Sequence, residues 1–136
     1  MSALPEMKVR DPARFGRVGL VIGGDSAERE VSLNGGRAVA AALERLGVEH
    51  RVYDGPLDLF AAIGEGWVER VFNLLHGPGG EAGSLQGALQ LMHIPVTGAD
   101  LASSALTIDK MRSKWFWERN GIATPPFEHY GPDEHF

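Results

Sequence analysis

The run Val18-Gly19-Leu20-Val21-Ile22 is short and continuously apolar, which predicts a buried strand over about Arg17–Ile22. Beyond it, Val31, Ala38, Val39, Ala42, Leu43 and Leu46 fall on one face of a helix running from about Ala27 to Leu46. Gly47 supplies the left-handed residue on which helices stop. The segment 48–53 mixes apolar and polar positions and predicts a second strand nearer a sheet edge. A short helix over Leu57–Ile63 follows Pro56, and Arg70–Leu75 is a third strand that ends in His76. After a glycine-rich loop at 77–83, Leu85, Ala88, Leu89 and Met92 recur at helical spacing within a helix over Ser84–Met92. Ile94–Thr97 reads as a fourth strand whose proline suits a strand start or an edge. Leu101–Leu106 is a turn of helix built from small residues, and Thr107 is placed to cap a last helix that reaches Asn120 and stops at Gly121.

Strands that alternate with helices predict an α/β fold, a parallel sheet of about four strands with helices on both faces. The organised part spans about 16–121. Residues 1–15 read as a loosely held arm. Residues 122–136, with Pro125 and Pro126 opposing helix, read as a connector toward a further, absent domain.

Composition narrows the function classes. The 136 residues are 43% hydrophobic and 23% charged, as expected of one soluble globular domain. A net charge of −5 without a basic cluster argues against nucleic acid and anionic membranes as partners. Without cysteine there is neither disulfide nor thiol catalysis. No apolar run approaches the ~20 residues of a membrane span, and the first residues lack the apolar core of a secretory signal. A cytoplasmic protein is the default expectation.

The chain is organised around Gly23-Gly24-Asp25-Ser26-Ala27-Glu28, the turn from first strand to first helix. Two glycines permit a sharp bend, Asp25 or Ser26 can accept from the first free N–H groups of the helix, and Asp25 and Glu28 have capping-box spacing. In open α/β sheets, ligands sit at the carboxyl ends of the strands. Glu28, His76 and Lys110 all stand at predicted strand ends or helix starts, so one rim can hold all three. A carboxylate there suits an ammonium group; a histidine with free backbone N–H groups suits a carboxylate or phosphate; a lysine suits a phosphate. Simpler roles stay open at this point: Glu28 offsetting the helix dipole, His76 held at a strand end, Lys110 on a solvated face beside Arg112 and Lys114. Trp115, Phe116 and Trp117 read as core or interface aromatics, and His50, His93, His129 and His135 lack metal-ligand spacing. The 77–83 loop matches neither G-x-x-x-x-G-K-[ST] nor G-x-G-x-x-G. The residues alone thus reach an α/β domain that binds a small polar ligand at a strand-end rim.

Gly23–Leu33, His76–Gly87, Pro95–Gly98 and Asp109–Lys114, in this order and spacing, resemble the signature blocks of D-alanine–D-alanine ligases, members of the ATP-grasp superfamily. The resemblance covers about Gly16–Pro126 and is to the amino-terminal, Rossmann-like domain that precedes the ATP grasp. It implies an enzyme that phosphorylates the carboxylate of one D-alanine with ATP and lets the amine of a second attack the acyl phosphate, making D-alanyl-D-alanine for peptidoglycan in the cytoplasm. It makes Glu28 the partner of the first D-alanine's ammonium and part of the catalytic relay. His76 and Gly77 line the same site, and Lys110 reaches ATP. The magnesium ligands, most of the ATP site and the catalytic serine–tyrosine pair are expected outside this chain, which alone is then not a working ligase; the parent enzyme is expected to be a homodimer. Two positions depart from the family pattern: Ala82 in place of aspartate, and Ser84 in place of threonine. The competing expectation is a non-catalytic binding module of the same fold.

Overall fold

In the computed structural model, residues 11–128 and 130 are described. A turn of 3₁₀ helix at Pro12–Phe15 leads into β1 (Val18–Ile22), α1 (Arg29–Arg45), β2 (His50–Asp54), α2 (Pro56–Gly64) and β3 (Arg70–Asn73). The one-turn α3 (Pro78–Glu81), α4 (Ser84–Leu91), α5 (Leu101–Thr107) and α6 (Lys110–Arg119) complete the order. Most of the expected arm, 1–10, and residues 129 and 131–136 of the connector lie outside the described residues.

The strands form a parallel sheet in the order β2-β1-β3, with Val18 opposite both His50 and Arg70. β1 is central and buried at every position, as its unbroken apolar run requires. Its alternate residues serve two layers. Val21 joins Leu59 of α2 and Leu85 and Leu89 of α4 in one core, while Ile22 lies against Gly36 of α1 on the opposite face. Helices therefore cover both faces. β2 is an edge strand, mostly exposed, as its mixed pattern predicts.

Three expectations change. The fourth strand is reduced to a single parallel bridge, Val71 to Val96, so the sheet has three strands rather than about four. Val71 N–H donates to Pro95 O and Thr97 N–H to Val71 O, but proline has no N–H with which to lengthen the ladder. The next N–H on β3, of Asn73, already turns to the Thr97 side chain (3.0 Å).

The buried face of α1 is not the apolar one. Val31 (59%) and Leu46 (58%) are exposed, as is Ala38, while Ser32 and Gly36 are buried and Val39 and Leu43 half-buried. A side chain at Gly36 would press into Ile22, so the helix approaches β1 closely enough that only small residues fit between them. Closeness of backbone, not apolar periodicity, sets this register.

The caps also move. α1 begins at Arg29, with Glu28 as its N-cap residue but without a side-chain cap bond; Ser26 Oγ accepts from Glu28 N–H (3.2 Å), and the Asp25–Glu28 capping box does not form. Thr107 does not cap the last helix either. It donates back to Ser103 O (2.8 Å) within α5, and Asp109 caps α6 by accepting from Arg112 N–H (3.0 Å). After α6, the segment following Gly121 is tied down by Lys114, whose ammonium donates to Thr124 Oγ1 (2.7 Å) and Pro125 O (3.2 Å).

Candidate functional site

The site is built from the carboxyl ends of the three strands. Leaving β1, Gly23 and Gly24 both take left-handed conformations (φ 72° and 73°). Any side chain at Gly23 would overlap the Asp54 carboxylate and the Arg29 guanidinium, so glycine there is required by conformation and by space. Two polar braces hold this turn.

The first runs to β3. Ser32, 1% exposed, accepts from Gly23 N–H (2.7 Å) and donates to Leu74 O (2.6 Å), linking the ends of β1 and β3 through α1. The second runs to β2. Arg29 grips Asp54 with two parallel bonds of 2.6 Å each, also donates to Gly24 O (2.9 Å), and Gly24 N–H donates to Asp54 Oδ1 (3.2 Å). The Arg29 hydrogen bonds, and then the Gly24 amide, hold the Asp54 carboxyl down at about 2. Arg29 is correspondingly raised by the same partner.

Beyond β3, Asn73 organises the glycine loop. Its side chain accepts from Leu75 N–H (3.0 Å) and donates to Gly80 O (2.9 Å), which also accepts from Gln86 (2.8 Å). The turn of α3 then brings Glu81 back over its own start, where one oxygen accepts from Gly77 N–H (2.9 Å) and the other meets His76 Nδ1 at 3.3 Å. Gly77 is left-handed (φ 71°) and lies against Ser26 of the first turn.

This arrangement brings Glu28, His76 and Glu81 together, with ligand atoms within 4.8 Å of one another. Glu28, freed from capping, makes no side-chain hydrogen bond or ion pair among the described residues. A cleft of ≈ 570 Å³ adjoins the cluster, lined by Gly24, Asp25, Asp54, Leu57, Leu75 and His76 among others. An uncommitted carboxylate beside an imidazole can hold an ammonium and a carboxylate at once, the two poles of an amino acid.

Of the residues picked out in the sequence, Glu28, His76 and Gly77 are assembled here. Lys110 is not. It is the exposed first residue of α6, which packs on α5, and no bond among the described residues joins it to the cluster. Two contributors escaped the sequence reading. Glu81 was signalled only by its spacing four residues after Gly77. The Arg29–Asp54 clamp was signalled by a charged residue on each side of two strand ends, with nothing in sequence to pair them.

Neither a nucleotide nor magnesium suits these residues. Asp25, Asp54 and Asp58 line the cleft and would repel a triphosphate. In the cluster one carboxylate is already engaged and the third donor is an imidazole, whereas magnesium takes a full octahedron of oxygens.

No family model matches the chain. The D-alanine–D-alanine ligase of Burkholderia mallei is 48% identical to it over 118 residues, 87% of this chain and 38% of the relative. The chain is similar to the amino-terminal part of D-alanine–D-alanine ligases. Solved structures agree in fold. The Bacillus anthracis D-alanine–D-alanine ligase complexed with ATP has a TM-score of 0.71 at 31% identity, covering 88% of this chain and 43% of that one. The Aeromonas hydrophila D-alanine–D-alanine ligase has a TM-score of 0.73 at 25% identity, covering 88% and 52%. The chain thus spans 38% of the length of the curated relatives it matches.

Proposed function

We propose that this chain is the substrate-side domain of an ATP-dependent D-alanine–D-alanine ligase and that the Glu28–His76–Glu81 cluster receives the first D-alanine. The supporting observation is that the Glu28 carboxylate, uncommitted to capping, stands beside His76. The ammonium of the substrate pairs with Glu28. Its carboxylate meets His76, whose ring Glu81 orients. Gly77, held by Glu81, keeps the loop close to the substrate without a side chain in the way. Fixing both poles would hold the substrate carboxylate in place for activation, and this placement is the domain's share of the catalysis.

When bound, ATP with magnesium supplies the phosphoryl group that activates the substrate carboxylate. Their ligands belong to the remainder of the enzyme, with Lys110 extending toward a phosphate from this domain. Alone, the chain lacks the cations on which phosphoryl transfer depends and is inactive. The product serves peptidoglycan in the cytoplasm, the parent enzyme is a homodimer, and neither nucleic acid nor membrane is a partner. No helix among the described residues is long and apolar enough to cross a membrane.

The test is phosphate release from ATP and magnesium with D-alanine, or with L-alanine as control, by this chain and by one extended through its natural downstream coding sequence. The expected result is a response to D-alanine alone, and from the extended chain alone. Silence from both would leave a ligand-binding module of the same fold. Turnover by the 136-residue chain would refute the division of labour.

A further inference from the structure

Glu28 and Arg29 are neighbours in sequence that serve opposite flanks of β1. The strand order β2-β1-β3 places the turn after β1 between two other strand ends. Glu28 turns toward the β3 side, where His76 and Glu81 stand. Arg29 turns to the β2 side, where Asp54 takes both of its terminal nitrogens at 2.6 Å and Gly24 O takes a third bond. Their carboxylate and guanidinium are thus kept on opposite flanks of β1.

A free guanidinium beside Glu28 would be an internal rival for the ammonium that Glu28 is placed to bind. We propose that Asp54 is a positioning residue: by clamping Arg29 at the end of β2, it keeps the Glu28 carboxylate open for the substrate's ammonium. The substrate in this statement rests on the ligase reading above, whereas the sequestration of Arg29 rests on geometry alone. The charged groups around the turn are Asp25, Glu28 and Glu30 on the chain itself, Asp54 from β2 with Asp58 from α2, and His76 with Glu81 beyond β3. If Asp54 is removed, Asp25, Glu28 and Glu30 are the carboxylates of this turn and the first turn of α1 left to Arg29.

Two measurements separate sequestration from simple bracing of the turn. The first uses this chain without substrate, with the Glu28 carboxyl followed by carbon-13 NMR. In Asp54→Ala, the Glu28 carboxyl resonance is expected to move away from its position in the parent chain, because Arg29 now faces it, and adding Arg29→Gln should abolish the difference. An unchanged Glu28 carboxyl resonance in Asp54→Ala overturns the proposal, and so does Arg29 engaging only Asp25 or Glu30.

The second uses the extended enzyme. Asp54→Ala should raise the KM for the first D-alanine about tenfold, the loss of one charge-assisted contact, while moving the KM of the second far less. Asp54→Asn, which keeps the shape of the side chain, should fall between. Arg29→Gln added to Asp54→Ala should recover most of the loss. A clamp that merely stiffened the turn predicts that Arg29→Gln is as damaging as Asp54→Ala and that the double variant is no better, and either result overturns the proposal. Should the NMR effect appear while no variant, Glu28→Gln included, alters D-alanine use, the ligase reading fails and the sequestration stands.

Discussion

Replacing Ser32 by alanine should destabilise the chain through two hydrogen bonds and almost no packing. The hydroxyl is 1% exposed, accepts from Gly23 N–H at 2.7 Å and donates to Leu74 O at 2.6 Å. Alanine fits the same close approach of α1 to β1, so neither cavity nor clash is introduced. What remains is a buried N–H and a carbonyl stripped of their shared partner. Leaving such a donor unsatisfied costs about 1–3 kcal/mol, and a central value for the site is about 2 kcal/mol. At this chain length each kcal/mol corresponds to about 4 °C, so the melting temperature should fall by roughly 8 °C. The assay is thermal unfolding by circular dichroism, paired with urea unfolding to check that the m-value is unchanged. The Gly23 amide should also lose protection from hydrogen exchange. A fall under about 2 °C with the Gly23 amide still protected would show that Ser32 is not the brace between the ends of β1 and β3.

Other outcomes follow from the same geometry. Glu81→Gln keeps the bond to Gly77 but removes the charge behind His76; the KM for the first D-alanine in the extended enzyme should rise several-fold, on the order of 1 kcal/mol, and an unchanged KM would remove Glu81 from the site. Gly80→Ala would drive a side chain into the Leu75 carbonyl, a backbone atom that cannot rotate away, so stability should drop by about 1–3 kcal/mol in urea unfolding and the His76 ring resonances should shift. Asp54 has a folded-state pKa near 2, depressed from an unfolded value of 3.8. Its stabilising contribution is therefore complete above about pH 4 and disappears as the pH falls toward about 2. The stability gap between the parent and Asp54→Asn should narrow over that window in urea titrations; the pair is half-exposed, so the gap is also expected to shrink in high salt.

The local signals in the sequence were the legible ones. β1 announces itself as an unbroken apolar run, and the double glycine after it fixes where the chain must bend. Glu28 and His76 stood out because each lies at a strand end or the turn after it, whereas Gly77 was singled out only by the resemblance. What the sequence hid was pairing across distance. Asp54 lies twenty-five residues from Arg29, and no period or spacing couples them. Ser32 and Gly36 face the sheet because the backbones nearly touch, a fact about two elements that a single helix pattern points away from. The fourth strand failed for a similar reason, since a single proline ended a ladder that the apolar content of 94–97 favoured. Lys110 marks the opposite case: the resemblance singles it out, but among the described residues it stands exposed at the start of α6, away from the cluster.

The central position of β1 has a consequence for the order in which the molecule acquires its site. Glu28 follows β1, whereas His76 and Glu81 follow β3, some fifty residues later. The two halves meet only once β1 and β3 have found their parallel register, a non-local event with a long loop to close. Each half folds by local rules, but neither alone has the three-residue cluster. Its assembly reports completion of the sheet, and a ligand that spans Glu28 and His76 acts as a cross-link on the pairing with the greatest sequence separation in the described sheet.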